Sequence, residues 1–289
     1  MSRAAGWLLA LWLLCVPARA ADESAMGASL RAAGWSAEVA ARIAHRVATA
    51  RGRVVAVFDH DGTLMHGDVT MGSGAQPGVL RELIDRHALR PAGARQIAAW
   101  MQPDPWQAYV DWTRRDPMRA YGWLPTVLAG FRVSEFAQVA RDRYRDTYQR
   151  YLFPEMLALL SVLRDAGVQV FIVSASAQPL LDAAGPFLGV PADHIFGIRL
   201  KERAGVILPE IEPPPTYAAG KVWKIEHAIR PQWSQVLAFG DSYVSDGPML
   251  RRAMRSGGVG VLINPPASVV PRADRDGLLH QSFASERRF

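Results

Sequence analysis

Apolar and polar positions follow three rhythms along this chain, and the changes between them predict its elements. Residues 24–52 carry apolar side chains at helical spacing, at Leu30, Val39, Ile43 and Val47, which predicts a helical lead-in. At Arg53 that rhythm stops. Val54-Val55-Ala56-Val57-Phe58 is an unbroken β-prone run, the composition of a strand buried on both faces of a parallel sheet. It ends in Asp59-His60-Asp61-Gly62-Thr63.

From Pro154 onward, helix-like and strand-like stretches alternate. Residues 155–166 read as a helix stopped by Gly167, and 168–173 as a strand leading into Ser174-Ala175-Ser176. Residues 179–188 read as a helix, 195–200 as a strand, and 206–211 as its hairpin return. A helix over 221–229 and a strand over 236–239 follow, the strand ending at Gly240-Asp241. A helix over 246–254 and a last strand over 259–263 complete the series. Alternation of this kind predicts an α/β sheet with crossover helices. Residues 66–153 differ: they are rich in aromatics, carry Pro103, Pro105, Pro117 and Pro125, and show helical spacing. The chain therefore divides into a lead-in (21–52), a core (53–65 and 154–289) and a mostly helical insert after the first strand (66–153).

The first twenty residues stand apart. Arg3 precedes the short apolar run GWLLALWLLCV over 6–16, and Pro17-Ala18-Arg19-Ala20 places small residues where a signal peptidase inspects the chain. This is the pattern of a secretory signal cut after Ala20. The run is shorter than the ~20 apolar residues that span a bilayer, and Leu14 before Cys15 is wrong for a lipoprotein peptidase. A periplasmic or secreted protein with no membrane span is the expectation. Cys15 is the only cysteine, so the mature chain has no cysteine nucleophile, thiolate zinc site or disulfide framework. Loss of Arg3 and Arg19 lowers the formal charge from +6 to +4. Without a Lys/Arg run, that excess argues against nucleic acid and is compatible with small anionic substrates.

Candidate chemistry gathers at the predicted strand ends. Asp59 and Asp61, Ser174 and Ala175, and Asp241 with Asp246 follow three different strands, and Lys221 begins a helix. In open α/β sheets the ligand crevice lies outside those ends, so the four segments should converge. Each residue type suits phosphoryl transfer. A carboxylate such as Asp59 can form an acyl phosphate, and Asp61 can exchange a proton with the leaving group and with water. Gly62 permits a sharp turn beside a phosphate, and Thr63 adds a hydroxyl. Ser174 can donate to a phosphoryl oxygen, with Ser176 as the alternative. Lys221 supplies positive charge, with Lys224 three residues on as its competitor. Asp241 and Asp246 offer carboxylates to a hard cation such as Mg²⁺.

This set resembles the four motifs of the haloacid dehalogenase superfamily, in order and in placement at strand ends. It covers residues 53–64 and 154–265, and not the insert. An insert between the first and second motifs is similar to the helical C1 cap of the phosphoserine-phosphatase-like branch. The resemblance implies a Rossmann-like three-layer α/β/α core. It also implies Asp59 as nucleophile, Asp61 as acid/base, and Mg²⁺ held by Asp59, the Asp61 main-chain carbonyl and Asp241. Asp246 would be a direct or second-sphere ligand that orients Lys221. The implied activity is hydrolysis of a small phosphorylated metabolite. Exported phosphorylcholine phosphatases belong to the same superfamily, and Trp100, Trp106, Tyr109, Trp112, Tyr121 and Trp123 in the insert offer either ordinary helix packing or a box for a cationic head group. A dehalogenase of the same fold and an inactive binding protein are the rival readings. Asp61 opposes the first, since expelling halide needs no proton donor, and the complete motif set opposes the second. His60 is read as a spacer, and His66 and Asp68 as solvated loop or substrate contacts.

Overall fold

The computed structural model of the protein describes residues 22–74, 76–229 and 235–285, so the leader prediction lies outside the described residues. Ten strands are present among the described residues: β1 (Val54–Phe58), β2 (Gly72–Ser73), β3 (Gln76–Pro77), β4 (Gln169–Ala177), β5 (Ile195–Ile198), β6 (Leu200–Arg203), β7 (Val206–Ile211), β8 (Gln235–Gly240), β9 (Val259–Ile263) and β10 (Leu279–Gln281). Six of them form one parallel sheet in the order β10-β9-β8-β1-β4-β5. β1 lies between β4 and β8, where the chain changes direction across the sheet, so the crevice at a switch in strand order falls beside Phe58 and Gly240.

The unbroken apolar run of β1 follows from two covered faces. Val54, Ala56 and Phe58 pack on one side with Leu30, Val39, Ile43 and Leu159 from helices Glu23–Ala32, Ala37–Ala48 and Pro154–Asp165. Val55 and Val57 face the other side, with Ile225, Ile229, Met249 and Leu250. This is the three-layer α/β/α arrangement that the family resemblance implies. The lead-in is part of the first layer: Trp35 is buried against Phe239 and Phe283, and its indole N–H donates to the Glu155 carbonyl at 3.1 Å.

Several element boundaries differ from the sequence reading. β4 runs on through Ser174-Ala175-Ser176 with an irregular register between Val173 and Ala177, because small polar residues carry no apolar signal for a strand. The 179–188 helix is two pieces, Gln178–Asp182 and Gly185–Leu188. The 195–200 strand is divided between β5 and β6. The 221–229 helix is α over Ala219–Lys224 and widens to a π turn over Ile225–Ile229. β10, three residues at the sheet edge, is too short to stand out in the apolar pattern.

Residues 66–153 fold mainly as helices, of which Val133–Asp146 and Pro105–Arg115 are the longest among the described residues. The β2–β3 hairpin near their start was not expected. The antiparallel β6–β7 hairpin reaches this region: the Ile207 N–H donates to the Phe131 carbonyl at 3.0 Å, and the Gly130 N–H to the Ile207 carbonyl at 2.9 Å. Among the described residues, no helix is long and apolar enough to cross a membrane.

Candidate active site

Two strand ends and one helix start deliver their charged groups to one point. Asp59 follows β1, and its N–H is tied to the Phe239 carbonyl of β8 at 2.9 Å. Lys221, from helix Ala219–Lys224, is completely buried, with Nζ 2.7 Å from Asp59 Oδ1 and 2.6 Å from Asp246 Oδ1. The other Asp246 oxygen accepts the Ser242 N–H at 2.9 Å. Asp246 therefore orients Lys221 instead of capping helix Gly247–Arg255. Lys224 points elsewhere, its Nζ lying 5.2 Å from the Phe196 ring centre and 5.3 Å from that of Trp223. The structure thus puts Lys221 and not Lys224 against Asp59.

One oxygen each from Asp59, Asp241 and Asp246 lies within 4.8 Å of the others. Close approach of Asp241 depends on Gly62, whose φ is +71° and where a Cβ would sit 2.3 Å from Asp241 Oδ2. Three carboxylates facing one ammonium leave negative charge in excess. Burial, reinforced by Asp246, pushes the Asp59 carboxyl up to about 6 despite Lys221. Burial, then repulsion from Asp246 and Asp59, holds Asp241 well above the carboxylate range. Burial works against the Lys221 charge, yet Asp246 and Asp59 hold its ammonium above the ordinary lysine range. A crowded set of oxygen donors, strained by its own charge, fits a hard divalent cation.

Asp61 lies outside that cluster and is held by other groups. Its Oδ1 is 2.9 Å from His60 Nδ1 and accepts the Val69 N–H at 3.0 Å, while its Oδ2 accepts a short hydrogen bond from the Ser176 hydroxyl. Burial alone would raise this carboxyl, but the His60 ring, the Ser176 hydroxyl and the Val69 amide hold it below its usual range. Ser176 also accepts from Thr70 Oγ1 at 2.9 Å, so its hydroxyl is committed to Asp61. The Ser174 carbonyl accepts from the Thr216 hydroxyl, while its own hydroxyl accepts a long contact, 3.4 Å, from the Ser176 N–H and, among the described residues, keeps its proton free to donate. Ser174 and Ala175 line the cavity in front of Asp59. Thr63 does not: it is fully buried, outside the lining, and its hydroxyl has no partner among the described residues. The structure therefore does not bring the Thr63 hydroxyl to the phosphate position.

The cavity measures about 450 Å³. Beyond the motif residues its wall is made by His66, Asp68, Met71, Tyr121 and Tyr217. Tyr121 and Tyr217 stack with ring centres 4.5 Å apart, and no Arg or Lys lines the cavity among the described residues. Asp68 Oδ1 accepts the Thr70 and Met71 N–H groups, both at 2.7 Å. Burial and then repulsion from Asp61 hold its carboxyl well above the ordinary range. Of the six insert aromatics, only Tyr121 reaches the wall. Trp106, Tyr109, Trp112 and Trp123 form a chain of ring contacts 5.2–5.9 Å apart, with Trp100 against Trp112 at 5.6 Å. The tryptophans pack among themselves and form no box around the cavity. Sequence reasoning missed Tyr217, which sits in a proline-rich loop without periodicity, and it missed the role of His60.

A family model described as haloacid dehalogenase-like hydrolase matches residues 56–251. A search of curated proteins found no match. Among solved structures, a protein of unknown function from Bordetella pertussis Tohama I is 19% identical with a TM-score of 0.60, covering 80% of this chain and 98% of that one. A functionally unknown protein from Anaerococcus prevotii is 17% identical with a TM-score of 0.63, covering 86% of this chain and 95% of its own. A HAD family hydrolase from Salmonella enterica serovar Typhi is 20% identical with a TM-score of 0.50, covering 76% and 65%. These likenesses show a shared fold.

The buried Asp246–Lys221–Asp59 triad makes a prediction about stability. Lys221→Met leaves two carboxylates without their counter-charge and should cost about 3–5 kcal/mol in urea unfolding. Adding Asp246→Asn to Lys221→Met should cost clearly less than the sum of the two single changes. Additive losses would mean that the ion pair is not the interaction holding these segments together.

Proposed function

We infer a phosphatase from family and site together: the chain belongs to the haloacid dehalogenase-like hydrolases, and its site has the parts for phosphomonoester hydrolysis. The observation that carries this reading is Lys221 held between Asp59 and Asp246, with Asp241 beside them and Asp61 close by but differently bonded. One carboxylate is thereby kept as a nucleophile and another as a proton carrier. The presence of Asp61 favours a phosphatase over a dehalogenase, which needs no proton for its leaving halide.

In the proposed reaction an Asp59 oxygen attacks phosphorus, the bond to the ester oxygen breaks, and Asp61 gives that oxygen its proton. Asp61 starts below the usual carboxylate range. An incoming phosphate dianion raises its affinity for a proton and favours the form that donates. Water then gives a proton to Asp61 and attacks the aspartyl phosphate, breaking the Asp59–phosphorus bond and releasing phosphate. Ser174 and the Ala175 N–H bind phosphoryl oxygens, and Lys221 offsets charge on Asp59. Mg²⁺ is the cation we assign to Asp59, the Asp61 carbonyl and Asp241; when bound, it would neutralise phosphoryl oxygens as a Lewis acid. Residues 66–153 serve as the lid that excludes water and selects the leaving group.

The wall chemistry supports a leaving group that is neutral or cationic. The Asp68 carboxyl, which a bound cation would draw back to its ionised form, and the stacked Tyr121–Tyr217 pair offer an acidic and aromatic surface, and among the described residues no Arg or Lys lines the cavity to meet a carboxylate. An ammonium-bearing ester of the phosphocholine or phosphoethanolamine kind fits this wall better than phosphoserine. The apolar leader with its small-residue cleavage site supports action in the periplasm or outside the cell.

Steady hydrolysis of p-nitrophenyl phosphate is expected with Mg²⁺. It should fall at least a thousand-fold in Asp59→Asn and to background in EDTA, and acid quenching should leave labelled phosphate on wild type only. Full activity of Asp59→Asn would remove the nucleophile from this account. In a panel at equal Mg²⁺, kcat/KM should rank ammonium-bearing esters above glycerol phosphate and phosphoserine last. Asp68→Asn should raise KM for the ammonium esters about ten-fold and leave glycerol phosphate nearly unchanged. A preference for phosphoserine would refute the charge argument. The mature chain isolated from cell-envelope or culture fractions should begin at Ala21, and a cytosolic protein retaining residues 1–20 would refute export.

A further inference from the structure

His60 is completely buried, although it stands between two aspartates that line a polar cavity. Both ring nitrogens are engaged. Nδ1 lies 2.9 Å from Asp61 Oδ1, and Nε2 lies 3.1 Å from the hydroxyl of Tyr144. Tyr144 belongs to helix Val133–Asp146 of the insert, is itself buried, and packs against Tyr148 at 6.0 Å and Phe187 at 5.0 Å. An ionised carboxylate offers only lone pairs, so Nδ1 donates to Asp61. In the neutral ring Nε2 then accepts the Tyr144 O–H, and in the charged ring it donates to the same oxygen. Either way the two contacts persist, and the imidazole plane is fixed from both ends.

The other contacts on Asp61 lead to the same part of the chain. The Val69 amide bonds Oδ1 directly, and Thr70 bonds Ser176, which in turn bonds Oδ2. Val69, Thr70 and Tyr144 all lie between β1 and β4. We infer that His60 and Tyr144 are positioning residues for the acid/base, and that the insert aims the Asp61 carboxylate at the leaving oxygen. Asp59 and Lys221, by contrast, are fixed entirely by the sheet side. The insert then governs proton transfer and leaves nucleophilic attack to the core. A carboxylate free to turn about its own side-chain torsions would spend most of its time misdirected, and loss of aim is a loss of rate.

This inference rests on the phosphatase reading, and leaving-group dependence separates the two. p-Nitrophenolate departs readily without a proton, whereas an alkoxide departs only with one. The ratio of kcat/KM for an alkyl phosphate such as glycerol phosphate to that for p-nitrophenyl phosphate therefore reports the aim of Asp61. Tyr144→Phe, which keeps the ring packing, should lower that ratio about ten-fold. His60→Leu should lower it about a hundred-fold, within the ~100- to 10,000-fold range of general acid–base catalysis. His60→Asn, which keeps an N–H near the Nδ1 position, should recover much of the loss. Equal loss on both esters in Tyr144→Phe, or an unchanged ratio, would overturn the positioning role while leaving the phosphatase reading intact. Wild-type protein that cleaves neither ester would overturn both.

Discussion

A lysine buried to zero exposure between two aspartates is the interaction on which the rest of this structure depends. An isolated buried ammonium is too costly to keep charged, so the fold must bring it partners. Those partners come from the end of β1 and from the loop after β8, which makes the ion triad a tie across the crevice at the centre of the sheet. The tie is not neutral. With Asp241 close behind, the carboxylates outnumber the ammonium, and the site holds negative charge that a cation and a polarised substrate can relieve. Structural need and chemical capacity come from the same four side chains.

Around that centre the two carboxylates of the first motif live in different surroundings. Asp59 faces Lys221 and the carboxylates of Asp241 and Asp246, while Asp61 is bonded by an imidazole, a hydroxyl and an amide. Separate partners for two nearby carboxylates would allow one to remain a nucleophile and the other to carry a proton in the proposed reaction. Two glycines make the crowding possible. At Gly62 a Cβ would meet Asp241, and at Gly240 it would lie 2.4 Å from Asp246 Cβ.

Much of this was legible in the sequence because each signal had a simple physical origin. An unbroken apolar run rich in β-branched residues is the composition of a strand covered on both faces, and β1 is one. Turn-prone acidic residues directly after such runs mark the ligand side of a parallel sheet. Ser174 and Ser176 could not be told apart, because the difference between them is a bond from Ser176 to Asp61 that crosses from β4 to the β1 loop. Lys221 and Lys224 share a helical face, and only the docking of that helix decides which one meets Asp59. The aromatic wall was beyond reach for a similar reason: Tyr121 and Tyr217 are 96 positions apart and meet only through the packing of the insert on the loop after β7. His60 looked inert because its partner, Tyr144, lies far away in sequence.

The central claim is that Asp59 and Asp241, with Lys221 held fixed, leave a site whose surplus negative charge requires a divalent cation. Calorimetric titration of Mg²⁺ into the substrate-free protein tests it most directly. The account predicts one saturable site in wild type that disappears in Asp241→Asn while the folded state persists. Absence of Mg²⁺ binding in wild type, or binding undiminished by Asp241→Asn, would contradict it.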